Sequence, residues 1–135
     1  MSIPDDVLDI IYSEQELQHG QYYPDQEYLD KVFQRAELII HRVAEKTLGF
    51  VFFYCNSKSK DFSYITLIAT SNAARGQGIG YSLVNQVLFL SKLRGFRACR
   101  LEVRKANMSA LAFYERMGFQ IIEERSNKLL MSKTV

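Results

Sequence analysis

Residues Arg75 to Gly80 read Arg-Gly-Gln-Gly-Ile-Gly, and they stand between an apolar run, Tyr64 to Thr70, and an amphipathic stretch, Tyr81 to Leu93. A strand, a glycine-rich turn and a helix in that order make a site for a pyrophosphate. Glycines let the backbone come close to a ligand, and the unpaired N–H groups of a helix's first turn point at negative charge. Two other phosphate loops fit less well. A P-loop needs Lys-Ser or Lys-Thr after its last glycine, and Gly80 is followed by Tyr81-Ser82. A dinucleotide fingerprint needs G-x-G-x-x-G at the head of a long βαβ series, and the spacing here is G-x-G-x-G. Taken alone, the segment also fits a tight strand-to-helix turn with no ligand.

A second pattern lies one strand further on: Asn107-x-x-Ala110-x-x-Phe113-Tyr114-Glu115-x-x-Gly118-Phe119. Asn107 is placed to cap a short helix. Arg75-x-x-Gly78-x-Gly80 followed by this pattern resembles the GNAT superfamily of acetyl-CoA-dependent N-acetyltransferases. The resemblance runs from Tyr64 to Met131, about half the chain. Leu101-Glu-Val-Arg104 is similar to the ribosomal-protein alanine acetyltransferase branch, while Gly49 to Thr70 is similar to members that acetylate amino sugars.

The resemblance implies acetyl-CoA as acetyl donor, with no metal, and a primary amine as acceptor. It implies a ternary complex in which the amine attacks the thioester directly. Ile68, Ala69 and Thr70 would offer backbone groups to the pantetheine arm. Arg75, Gly76, Gln77, Gly78, Ile79, Gly80 and Tyr81 would hold the pyrophosphate, with Asn107, Ala110 and Tyr114 completing the cofactor side. A backbone N–H near Ala69 would stabilise the oxyanion, and Tyr114 would protonate the leaving thiolate. Tyr114 also fits plain aromatic packing beside Phe113. Glu102 stands where the alanine branch has its base; it equally fits an ion pair with Arg100 or Arg104, and a water relay needs no carboxylate. Tyr22, Tyr23, Asp25 and Glu27 are the candidates for the acceptor side, since tyrosines stack on apolar or sugar groups and carboxylates attract an ammonium. The other reading of that segment is a solvated loop between helices. Homodimers are common in the superfamily; no interface is legible in this chain.

These residues need elements to hold them. Asp5 to Gln15 and Asp25 to Ala36 show helical spacing, the second with Leu29, Val32, Phe33 and Ala36 on one face and Asp25 as its N-cap. Glu37 to Val43, Thr47 to Tyr54 and Ser63 to Thr70 read as strands, with Glu45-Lys46 turning between the first two. Ile79, Leu83, Val84, Val87 and Leu90 share a face of the helix that Gly95 ends. Ala98 to Arg104 alternates as a strand, Asn107 to Met117 is a helix stopped by Gly118, and Phe119 to Glu124 pairs with Lys128 to Ser132. The expected fold is α+β: the GNAT fold, a mixed central sheet with splayed parallel strands around the cofactor and helices on both faces. The N-terminal third matches no motif, and the superfamily's usual first strand is missing or replaced by helix.

At 135 residues the chain reads as a single domain, residues 1–135. Hydrophobic residues make up 47% and charged residues 24%, as in soluble globular proteins. No apolar run reaches the length of a membrane helix. The acidic start lacks the basic and apolar regions of a signal peptide, and Cys55 and Cys99 lie in apolar runs as reduced core residues. Together these predict a cytoplasmic protein. Residues 1–70 carry 11 acidic and 6 basic side chains, residues 71–135 carry 4 and 11. That asymmetry fits an anionic ligand on the C-terminal half, or uneven surface decoration. The acidic first half disfavours a nucleic-acid substrate.

Overall fold

The computed structural model describes residues 2–135. Two helices, α1 (Asp5–Leu17) and α2 (Gln26–Arg35), precede strands β1 (Glu37–Val43), β2 (Lys46–Tyr54) and β3 (Phe62–Thr70). A 3₁₀ turn over Asn72–Ala74 leads to α3 (Ile79–Leu93), then β4 (Ala98–Arg104), α4 (Met108–Arg116), β5 (Gln120–Arg125) and β6 (Lys128–Thr134). The strands follow the order β1-β2-β3-β4-β6-β5, mixed in direction, as the α+β reading requires. Among the described residues no strand precedes α1. Contacts gather the chain into two parts: residues up to Phe53 with Leu67–Val84, and Tyr54–Thr66 with Asn85–Val135.

In the first part, β2 is covered on both faces. The ring of Phe52 meets Phe33 of α2 with centroids 5.6 Å apart, and Phe50 joins them on the same face. Gly49 points the other way, as alternation demands. A β-carbon there would lie 3.0 Å from the Ala69 carbonyl oxygen, 3.0 Å from Ile79 Cγ2 and 3.3 Å from Leu83 Cδ1. The first turn of α3 thus rests directly on the backbone of β2. The α2 face expected from spacing is buried at Leu29, Val32 and Ala36, and the Asp25 carboxylate accepts the Tyr28 N–H at 2.9 Å as its cap.

Two expectations are corrected. The β1–β2 turn falls on Ala44-Glu45, with φ of 51° and 66°, and Lys46 pairs with Val43. A two-residue hairpin of type I′ needs positive φ at both positions, and neither residue advertises that by type. Leu90 is only half-buried; Leu88 and Ser91 complete the inner face of α3 instead.

In the second part, β4 is parallel to β3 over Phe62↔Ala98, Ser63↔Cys99 and Tyr64↔Arg100. The ladder stops there, although Ile65, Thr66, Leu101 and Glu102 continue both strands. On its other side β4 pairs with β6 along all seven residues from Ala98 to Arg104. Cys99, Leu101, Val103, Leu130 and Met131 are buried, while every residue of the edge strand β5 is exposed. A buried polar chain runs beneath: Ser63 Oγ and Ser91 Oγ lie 2.6 Å apart, and Ser91 donates to the Val87 carbonyl at 2.7 Å.

Replacing Gly49 with Val is expected to lift α3 off β2 and to destabilise the fold by about 1–3 kcal/mol, the usual cost of overpacking. Urea denaturation measures this; a midpoint equal to the parent's would show that the contact is slack.

Candidate active site

The glycine loop is bolted to β2 at both ends. At its entry the Ser71 N–H donates to the Leu48 carbonyl at 2.9 Å, and at its exit Ile79 and Leu83 sit on Gly49. Between them, the 3₁₀ turn buries Ala74, and the Gln77 side chain donates back to the Ala73 carbonyl at 3.3 Å. Gly76 and Gly78 have φ of +80° and +77°, and a β-carbon at either would meet nothing within 4 Å. They are glycine for conformation, and they leave open space around the turn. The first helical bond of α3 runs from Ser82 N–H to the Gly78 carbonyl at 3.1 Å. The amides of Ile79, Gly80 and Tyr81 therefore precede the ladder, with no acidic residue in the first turn to compete for them. This is the chemistry of an anion site.

Arg75 is already placed. Its Nη2 donates to Glu14 Oε1 at 2.7 Å and its Nε to Asn72 Oδ1 at 3.2 Å. Of the candidates on the acceptor side, Tyr22 reaches the expected pantetheine strand: its hydroxyl donates to the Ile68 carbonyl at 3.0 Å. Tyr23 stands edge-on to Tyr22 at 6.4 Å. Asp25 is occupied as the α2 cap, and Glu27 pairs with Lys31 at 3.9 Å on the exposed side of the helix. Both carboxylates thus contact their own helix. Ala69 and Thr70 continue the strand from Ile68, Ala69 buried and Thr70 half-buried.

In the second part, Glu102 accepts a hydrogen bond from the Tyr64 hydroxyl at 3.2 Å and pairs with Arg125 at 3.6 Å. The expected partners were Arg100 and Arg104. Arg125 wins because β6 brings β5 alongside, and the Arg125 side chain also engages Glu123. Arg100 instead lies over the Phe62 ring, 4.3 Å from its centroid. Asn107 Oδ1 accepts the Ala110 N–H at 3.2 Å, so the cap is as expected. Tyr114 is buried edge-on between Phe113 and Phe119, with centroids at 5.1 and 5.6 Å. Burial, reinforced by the nearby Cys99 thiol, pushes its phenol well above the ordinary tyrosine range, so it holds its proton at any physiological pH. Burial likewise pushes the Cys99 thiol up to about 11, against a weaker opposing hydrogen bond from Ser63.

Sequence spacing did not reveal Glu14, Gln15 or Gly49. Glu14 lies 61 residues from Arg75, and only the fold brings them together. Gly49 was detectable in principle, because a lone glycine inside a strand of large apolar residues marks a close backbone approach.

The model of the acetyltransferase (GNAT) family matches residues 5–119. An uncharacterised N-acetyltransferase of Methanocaldococcus jannaschii is 32% identical over 114 residues, covering 80% of this chain and 50% of that protein. N-alpha-acetyltransferase 30 of Schizosaccharomyces pombe is 41% identical over 56 residues, 42% of this chain and 37% of that one. The chain thus spans half or less of the length of these curated relatives. A GNAT-family acetyltransferase from Elizabethkingia anophelis, solved with acetyl-CoA bound, superposes with a TM-score of 0.77 at 19% identity, over 100% of this chain and 92% of that one.

The raised Cys99 thiol and Tyr114 phenol carry a pH signature. Both groups are held neutral in the folded state, so their contribution is intact below pH 9, where the unfolded thiol also keeps its proton. The Cys99 part is lost as pH rises from about 9 toward 11, because only the unfolded thiol then ionises, and the Tyr114 part is lost above about pH 10 for the same reason. Urea midpoints are expected to fall across that window, and less steeply in Cys99→Ala; parallel profiles for the two proteins would contradict the assignment.

Proposed function

The chain belongs to the acetyltransferase (GNAT) family, and from that premise we propose that it transfers the acetyl group of acetyl-CoA to a primary amine, the α-amine of a peptide or a small amine such as an amino sugar. The observation that carries this reading is the glycine loop. Two glycines at positive φ, three amides ahead of the α3 ladder and an oriented Arg75 make a cradle whose donor set suits a pyrophosphate.

Acetyl-CoA supplies an activated acyl group as a thioester. The pyrophosphate would rest on the amides of Gly78 to Tyr81 and on Arg75, with the pantetheine arm along Ile68 to Thr70. The Ala69 N–H would serve the developing oxyanion, and Tyr114, kept protonated by burial, would supply the proton to the departing sulfur. Asn107 and Ala110 order the start of α4 and so the placement of Tyr114. For the base, Glu102 is the candidate carboxylate; its bonds to Tyr64 and Arg125 orient it, and a water between it and the amine would complete the relay. The α1–α2 segment with Tyr22 and Tyr23 would receive the acceptor. The likeness to an N-alpha-acetyltransferase across 56 residues supports the peptide α-amine, and a 33% identity over 79 residues to the mycothiol acetyltransferase of Corynebacterium glutamicum supports the small amine.

Tyr114→Phe is expected to lower kcat by about 100-fold or more, the scale of general acid catalysis, with the Kd for acetyl-CoA unchanged. Thiol release with peptides, amino sugars and polyamines tested side by side measures it. Unchanged kcat would remove Tyr114 from the acid role, and no release with any amine would reduce the chain to a binding module. Gly78→Val, forced from its positive φ, is expected to abolish acetyl-CoA binding in calorimetry.

A further inference from the structure

The last turn of α1 carries two consecutive side chains that reach different loops. Glu14 holds Arg75 at 2.7 Å, and its other carboxylate oxygen accepts from Gln18 Nε2, also at 2.7 Å. The Glu14 side chain is only 12% exposed while that of Arg75 is 51% exposed, so the pair is shielded on the carboxylate side and open to solvent on the guanidinium side. Gln15 clasps the segment between α1 and α2. Its Nε2 donates to the Gly20 carbonyl at 3.2 Å and the Tyr23 carbonyl at 3.0 Å, while its Oε1 accepts the Tyr23 N–H at 3.0 Å. The Gly20 N–H returns to the Gln15 carbonyl at 2.8 Å. Held in this way, Tyr22 sets its hydroxyl on the Ile68 carbonyl.

We propose that Glu14 and Gln15 are positioning residues that couple the glycine loop to the α1–α2 loop, so that an occupied pyrophosphate site tightens the loop that receives the acceptor. The proposal rests on the reading of the glycine loop given above. Arg75 can serve both sides at once. A guanidinium has five N–H donors in a fork, and Glu14 and Asn72 engage only Nη2 and Nε, leaving an edge for a phosphate oxygen. An anion that immobilises Arg75 immobilises Glu14 with it, and Gln15 follows because it is the next residue on the same helical turn. The loop spanning His19 to Tyr23 then loses motion, and a second ligand meets a site already ordered. His19 and Gly20, with φ of 53° and 79°, form the reversal after α1, and the Gln15 side chain ties that reversal to Tyr23.

Amide hydrogen exchange of residues 18–24, read by NMR with and without CoA, tests the coupling. In the parent protein CoA is expected to slow exchange at Gly20 and Tyr23 by about 5-fold or more, as ordering of a loop does. Glu14→Gln leaves the Gln15 clasp intact; its free protein is expected to exchange like the parent, to bind CoA within about 3-fold of the parent's Kd, and to show less than about 2-fold slowing on binding. Gln15→Glu, which keeps the acceptor for Tyr23 N–H and loses both donated bonds, is expected to exchange fast with or without CoA while α2 amides stay protected. CoA binding with the full slowing in Glu14→Gln, or with none in the parent, would overturn the coupling alone. Failure of the parent to bind CoA would overturn the reading of the glycine loop and the coupling with it.

Discussion

The constraint on which the first part of the molecule depends is the close approach of α3 to β2 at Gly49. A β-carbon there would press on the Ala69 carbonyl and on Ile79 and Leu83 at 3.0 to 3.3 Å, tighter than ordinary packing. The same contact fixes two things at once: the height of the first turn of α3 over the sheet, and its distance from the end of β3. The amides that would meet an anion and the strand that would carry the pantetheine are thereby set by one missing methyl group. Ser71, tied to Leu48 just before Gly49, secures the loop from the other side. A loop of glycines would otherwise be free to wander, and its binding energy would be lost to the entropy of ordering it.

Rigid anchoring of the loop contrasts with the polar character of what faces it in the first part. Arg75, Glu14, Gln15, Gln18 and the backbone of Gly20 to Tyr23 form a run of hydrogen bonds, most of them part-buried or exposed. Such a network is adjustable where apolar packing is not. The second part repeats the division. Tyr114 is locked among aromatic rings, while Glu102, Tyr64 and Arg125 make a polar set on the half-exposed face of β4. Aromatic packing and an acid role are compatible in Tyr114, since the packing that buries the phenol also preserves its proton.

Much of this was legible in the sequence because it is local. Asp25 and Asn107 cap their helices through backbone groups three residues on, and Glu37–Val43 and Ala98–Arg104 have the expected bounds. What was not legible is what the fold brings together. Glu102 finds Arg125 only because β5 folds back beside β6, and Glu14 finds Arg75 across 61 residues. The turn at Ala44-Glu45 adopts positive φ with residues that do not favour it, so the register of β1 against β2 decided its place.

The central claim is that this loop recognises a pyrophosphate. Calorimetry with CoA against pantetheine, which shares the thiol arm and lacks the pyrophosphate and the phosphoadenosine beyond it, tests this in the parent protein, and Gly78→Val separates the loop's share from that of the nucleoside. CoA is expected to bind, and pantetheine to be weaker by about 100-fold or more, since several charge-assisted bonds of roughly 1.5–3 kcal/mol each are lost. Equal affinity for the two, or binding of neither, would contradict it.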